Sequence, residues 1–315
     1  MADKYKLIIL AVICILVMGL FLGSGLTADN YQYFLSIRTP KVLAMILAAI
    51  AVAQSSFVFQ TITNNRILTP GIMGFDSLYL LIQVLVVIIG AGSHYILSPY
   101  INFSMSVLLM MGFSMMLFHF YFGRKPKNIL MLLLIGVVFG QVFDSSMSFF
   151  TMIMDPNSFA FFQSNMFASF NNVDANLVYM TFIPLLVLCW LLYRMSYSLD
   201  IFWLDKDNAT SLGVDVHKIT RHVLLITAFM IAISTALIGP VLFFGLLVSN
   251  LTREVLQSYQ HRLLLIGCSL ISVAVLLLGQ WSVEHLFMFE TTIGTIINFV
   301  GGIYFLSVLL RNKGY

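Results

Sequence analysis

Long uninterrupted apolar runs constrain this chain more than any other feature: residues 7–22 and 42–53 contain no charged side chain. A helix crossing the hydrocarbon core of a bilayer needs about 20 predominantly apolar residues, and only helices or closed barrels satisfy their backbone groups there. A barrel strand would alternate apolar and polar residues over short stretches, which these runs do not do. The sequence therefore reads as all-α and integral to a membrane. Composition agrees: 60% of the 315 residues are hydrophobic and 9% charged, against about a quarter charged in a soluble domain. That excludes a water-soluble enzyme and a disordered chain.

Breaks at Pro, Gly, Asn, Asp and clustered charge divide the chain into ten candidate spans, at 7–23, 42–62, 74–92, 100–122, 129–152, 176–195, 219–238, 246–257, 263–283 and 292–310. The first run is long for a secretory signal and lacks an A-x-A site, so it is read as an uncleaved span. The eighth is too short to cross alone and begins after Gly239-Pro240, which suits re-entrant backbone shielded by protein. All of 1–315 is then one transmembrane domain. With the amino terminus inside, fourteen of the sixteen Lys and Arg residues fall on the cytoplasmic side, and only Arg38 and Lys41 fall outside. That asymmetry is the positive-inside rule, and an even span number leaves the carboxyl terminus inside as well. A net charge of +3 distributed this way implies no nucleic-acid surface.

Two connections carry more than a turn needs. Outside, Asp155 to Asp174 mixes Phe161, Phe162, Gln163, Asn165 and Asn171, suited to a short helix at the mouth of a pathway or to an interfacial aromatic anchor. Inside, residues 199–216 offer Asp207 or Asn208 as a helix cap, and Gly213 as a left-handed terminator after Leu212. Phe202, Trp203 and Leu212 would then be anchors for another protein, or the segment folds onto the membrane surface.

Chemistry within the chain is sparse. There is no G-x-x-x-x-G-K-[ST] phosphate loop and no H-E-x-x-H, and no pair of histidines has metal-ligand spacing on a helix. Neither catalysis nor a metal or other cofactor is implied. Cys14, Cys189 and Cys268 sit in apolar runs and read as buried thiols. The spans do contain amides and hydroxyls, among them Gln54 and Gln60 on the second and Gln141 and Ser145 on the fifth. Singly they can join helices; together they could line a wide pathway for a polar ligand. Asp76 and Asp144 within spans and Glu284 at the end of the ninth are too few for the dense mid-membrane relay of an ion-coupled carrier.

Three stretches together resemble one family. Arg38-Thr39-Pro40-Lys41 leads to Asn64-Asn65-Arg66-Ile67-Leu68-Thr69-Pro70-Gly71-Ile72-Met73-Gly74, similar to R-x-P-R and R-N-P-L-A-D-P-G-x-L-G. Ala209-Thr210-Ser211-Leu212-Gly213-Val214-Asp215-Val216 is similar to A-x-x-L-G-V-x-V. Gly239-Pro240-Val241-Leu242-Phe243-Phe244-Gly245, running on to Arg253, is similar to G-P-I-x-F-V-G-L-V-V-P-H-x-x-R. In this order they resemble the FecCD/BtuC-like permeases of type II ABC importers, which carry iron–siderophore complexes, haem or cobalamin.

The resemblance implies a ten-span subunit of the bacterial cytoplasmic membrane that dimerises around a central pathway. It implies cytoplasmic ATPase subunits as partners, an extracytoplasmic substrate-binding protein, and a second permease subunit, unlike or identical. The segment at about 199–218 would couple to the ATPase through Phe202, Trp203, Ala209, Leu212 and Gly213. Arg38, with Lys41 beside it, would meet the binding protein; an exposed ion pair there orients two large bodies more than it stabilises them. Pro70, Gly71, Gly74, Gly239, Pro240, Gly245 and Arg253 are the structural positions of the shared motifs. The chain departs from the family at Val283-Glu284-His285, where a second docking arginine is usual, at Arg66 and Thr69, and at Ser249-Asn250 in place of Pro-His. Phe167-Ala168-Ser169 likewise lacks the usual W-x-x-G-S-L. A ferric siderophore is the expected cargo, with haem or cobalamin as alternatives; an ion-coupled carrier working through Asp144 is the rival of a different class.

Overall fold

The computed structural model describes residues 2–24, 31–93, 98–122, 129–171, 173–202, 206–211, 213 and 215–311. Trp203 and Leu212 of the expected coupling surface lie outside these, as do Arg124, Lys125, Lys127 and Lys313 of the cation count. The described elements are all helical. In chain order they are α1 (Ala2–Gly23), α2 (Tyr31–Thr63), a 3-10 turn (Pro70–Met73), α3 (Phe75–Ser93), α4 (Pro99–Tyr121), α5 (Ile129–Met152) and α6 (Pro156–Asn165). There follow α7 (Ala175–Arg194), α8 (Ser196–Phe202), α9 (Lys206–Ser211), α10 (Val216–Ile238), α11 (Phe244–Val255), α12 (His261–His285) and α13 (Ile293–Arg311).

Seven of these helices are long and apolar enough to cross a membrane: α1, α2, α4, α5, α7, α10 and α12. The apolar parts of α3 and α13 are shorter. Helix starts follow local chemistry. Asp155 caps α6 by accepting from Ser158 N at 3.0 Å, with Pro156 at the first helical position. Asp174 caps α7 through Asn176 N at 2.8 Å, and Asp215 caps α10 through Lys218 N at 2.9 Å. Each carboxylate satisfies an amide that has no partner within its helix and meets the positive end of the helix dipole.

The bundle is built around α2, which packs against α10, α11, α12 and α7. In its most apolar stretch 83% of residues are buried, against 28% for α5. Ala44, Ala48, Ala51 and Ala53 have no exposed surface, and such small side chains let neighbouring helices approach closely.

Two boundaries differ from the sequence reading. The second span begins at Tyr31, not at 42, because Pro40 lies inside the helix and is buried; neighbouring helices allow a proline that would end an isolated one. Arg38 and Lys41 are consequently helical residues rather than loop residues. The segment at 199–216 divides into the end of α8 and the short α9, which already includes Asp207 and Asn208, so neither precedes the helix as a cap. Gly213 does adopt a left-handed conformation, with φ +79°, and its N–H reaches Thr210 O at 3.0 Å. The aromatic connection at 155–174 contains α6, and the short eighth segment is α11, entered through irregular backbone at 239–243.

Candidate functional site

Two polar clusters sit near opposite ends of α2, separated by the 20 residues from Lys41 to Thr61, or about 30 Å of helix. At the first, Lys41 Nζ lies 2.5 Å from Glu284 Oε1 on α12 and 3.0 Å from Asn171 Oδ1. Gln280 Nε2 donates to the same two acceptors, each at 3.1 Å. The Phe289 ring lies 5.6 Å from Lys41 Nζ, and Phe289 itself has φ +65°, a costly conformation for a bulky residue. Arg38, a helical turn earlier, does something different. Its Nη1 donates to Phe21 O at 3.0 Å, Leu22 O at 3.3 Å and Ser24 O, covering the carbonyl end of α1. A guanidinium there satisfies carbonyls that α1 cannot bond internally and complements its dipole. The two cations expected to meet a partner thus each have internal contacts. Lys41 is nearly enclosed; Arg38 remains half-buried.

At the other end, Asp200 of α8 accepts from His261 N at 2.6 Å and from His261 Nδ1 at 2.7 Å. His261 has no exposed surface, and its Nε2 lies 3.1 Å from Thr61 Oγ1 on α2. Its ring meets Phe57 edge-on, and the Arg253 guanidinium stands 4.6 Å from the Phe57 centroid. Beside these groups a crevice of about 110 Å³ is bordered by Gln60, Asn64, Arg66, Phe202 and Arg253. Asn250 Nδ2 holds Arg66 O at 3.3 Å, fastening the connection after α2 to α11. Ala209 of α9 is buried, and Gly213 is exposed.

The Pro and Gly positions of the motifs mark close approaches. Pro70 opens the 3-10 turn, and Gly74 ends it with φ +86°. A Cβ on Gly74 would sit 3.0 Å from Gly140 Cα, and one on Gly136 would sit 2.8 Å from Met73 Cα. The turn therefore nests against a small-residue face of α5, Gly136-x-x-x-Gly140. A Cβ on Gly71 would meet Asp76 Oδ2 at 2.5 Å. Gly239, with φ +92°, lies against the Ala168 backbone. Nearby, Ser169 N donates to Ile238 O at 3.0 Å and Gly294 N to Ala168 O at 3.1 Å, so the segment after α6 joins α10 to α13. Pro240 is buried in the same irregular stretch, and Gly245 lets α11 approach Ser56 of α2.

The amides expected along a pathway separate. Gln54 is buried and donates to Ser269 Oγ at 2.8 Å, joining α2 to α12; Gln60 is 1% exposed and faces the crevice. Gln141 and Ser145 instead lie on the outward face of α5, in a groove of about 660 Å³ shared with Val138, Val142 and Phe149. The four therefore do not form one lining. Sequence reading missed the Lys41–Glu284 pair and the Asp200–His261–Thr61 chain, whose members are 243, 61 and 200 residues apart. The Gly136-x-x-x-Gly140 spacing was a legible signal of close packing.

Comparison with known proteins matches residues 6–311 to the FecCD transport family. The petrobactin import system permease protein YclO of Bacillus subtilis is 44% identical over all of both chains. The petrobactin import system permease protein FatC of Bacillus anthracis is 31% identical over 88% of this chain and 78% of its own. A solved inward-facing conformation ascribed to the metal-chelate type of ABC transporter superposes with TM-score 0.86, at 23% identity, over 98% of this chain and 99% of that one. With the motifs, the helical bundle and a match over nearly the whole sequence in agreement, the chain belongs to the FecCD transport family.

Proposed function

We propose that this chain is the permease subunit of a binding-protein-dependent ABC importer for a ferric siderophore of the petrobactin class. The observation that carries the reading is 44% identity, without gaps in coverage at either end, to a petrobactin import permease. On this reading α3, α11 and α13 join the seven long helices to make ten membrane segments, with both termini cytoplasmic. The end bearing Asp200 and His261 faces the cytoplasm, and the end bearing Lys41 and Glu284 faces outward.

The roles follow from placement. The outward face of α5, with Gln141 and Ser145 among apolar side chains, is left uncovered by the described residues. A second permease subunit, unlike or identical, closes over it so that the polar groups border the pathway. Residues 199–218 couple to the ATPase, with Phe202 and Ala209 fastening the segment to the bundle. Arg38 is the contact for the binding protein, since Lys41 is engaged with Glu284. ATP-driven closure of the ATPase pair rocks the helices to expose the pathway to alternate sides. Affinity purification of the tagged chain from its own membranes tests the assembly: two ATPase copies recovered for every two permease subunits support it, and a chain that purifies free of any ATPase contradicts it.

A further inference from the structure

Resting on that importer reading, we propose that Asp200, His261 and Thr61 form a positioning relay through which the coupling segment acts on α2. Among the described residues, α9 is six residues long and its main contacts are with its neighbours α8 and α10. Whatever displaces α9 is therefore passed to the bundle through the short helices' own attachments. α8 is the better attached of the two, touching α2, α7 and α12.

Asp200 makes the polar part of that attachment. Its Oδ1 accepts from the first backbone N–H of α12 at 2.6 Å and from the ring of His261 at 2.7 Å. The N-cap residue of α12, Gln260, makes no side-chain cap bond, so a carboxylate from α8 supplies the acceptor that a local cap would have supplied. The imidazole continues inward, and Nε2 meets Thr61 Oγ1 at 3.1 Å two residues before α2 ends. Three helices thus converge on one fully buried ring. Phe202, two residues beyond Asp200, borders the crevice with Asn64 and Arg66 just past α2. A shift of α8 would consequently act on α2 and on the crevice together. Because α2 is one helix from Thr61 back to Lys41, it can carry that displacement about 30 Å, to the opposite polar cluster. Hydrogen-bonded contacts of this kind switch between discrete arrangements rather than stretch.

The test uses the complete transporter in liposomes, with its ATPase, partner permease and binding protein, measuring labelled ferric petrobactin taken up per ATP hydrolysed. ATP-driven uptake by the wild type in the same vesicles tests the importer reading separately. Asp200→Ala is expected to keep hydrolysing ATP while uptake per ATP falls about tenfold, the usual scale of coupling between sites. Asp200→Asn restores most of it, because the amide oxygen can still accept both N–H groups. Thr61→Val removes only the hydroxyl at a buried position and is expected to lower uptake per ATP with assembly intact, which keeps the relay testable if Asp200→Ala fails to assemble. A working wild type with unchanged uptake per ATP in Thr61→Val, or with Asp200→Asn no better than Asp200→Ala, overturns the relay.

Discussion

Lys41 Nζ lies 2.5 Å from Glu284 Oε1, joining α2 to α12 across 243 residues of sequence. Their side chains are 13% and 9% exposed, so each charge depends on the other for most of its compensation. Where the resemblance implied an arginine near this end of α12, the present chain has Glu284, and it meets a lysine of its own.

Removing one partner should therefore cost more than removing both. Glu284→Gln or Lys41→Ala is expected to destabilise the purified protein by about 3 kcal/mol, at the lower end for a buried pair because Asn171 and Gln280 remain as partial substitutes. Lys41→Met combined with Glu284→Leu should recover most of that loss. Thermal unfolding in detergent measures it; a double variant as unstable as the sum of the singles would show that the pair is not coupled.

Gly74 has no room and no conformational freedom for a side chain. With φ +86° and the Gly140 backbone 3.0 Å from any added Cβ, Gly74→Ala is expected to cost about 1–3 kcal/mol. Gly112→Ala, with nothing within 4 Å of the added atom, is the control and should be tolerated. Equal thermal midpoints for the two variants would contradict the packing of the 3-10 turn on α5.

The approach of α11 to α2 can be probed by exchanging small residues. A Cβ on Gly245 would collide with the Ser56 side chain, so Gly245→Ala should destabilise, and adding Ser56→Gly should relieve it. This is a double-mutant cycle with an expected coupling of about 1 kcal/mol; simple additivity would argue that the contact is not tight.

Much of this architecture could be read from the chain in advance, and the unread parts share a cause. Apolar length alone revealed the seven long helices, since a membrane helix satisfies its own backbone. The left-handed Gly213 and the shortness of α11 were equally local. Pro40 misled because its helix-breaking tendency is local, whereas its toleration comes from neighbouring helices. Lys41 and Glu284, or Asp200, His261 and Thr61, have no local signature at all: each is an ordinary polar residue until folding brings a distant partner to it. Gln54 gives no local sign of Ser269 on α12 either, because sequence shows that a span has polar residues but not which helix they face.

The groove on α5 separates transport from stability. Gln141→Trp places bulk on an outward face that the protomer does not use for its own packing, so uptake should fall severalfold with little change in thermal midpoint. A variant that unfolds, or one that transports normally, would move the pathway elsewhere.

Asp144 distinguishes ATP-driven import from ion-coupled transport. It is half-buried on α5, and an ATP-driven permease needs no proton from it. Asp144→Asn is expected to retain most uptake, with no dependence on the membrane proton gradient; abolished uptake that follows that gradient would favour the carrier.

On the proposed function, this chain moves a ferric siderophore inward at the expense of ATP. Cells lacking the chain, supplied with iron-55 as ferric petrobactin at low concentration, measure this most directly. Accumulation is expected to be lost in the deletion, restored by the wild-type chain, and abolished again when ATP hydrolysis by the partner ATPase is disabled. Undiminished petrobactin uptake in the deletion, alongside loss of haem or cobalamin uptake, would contradict it.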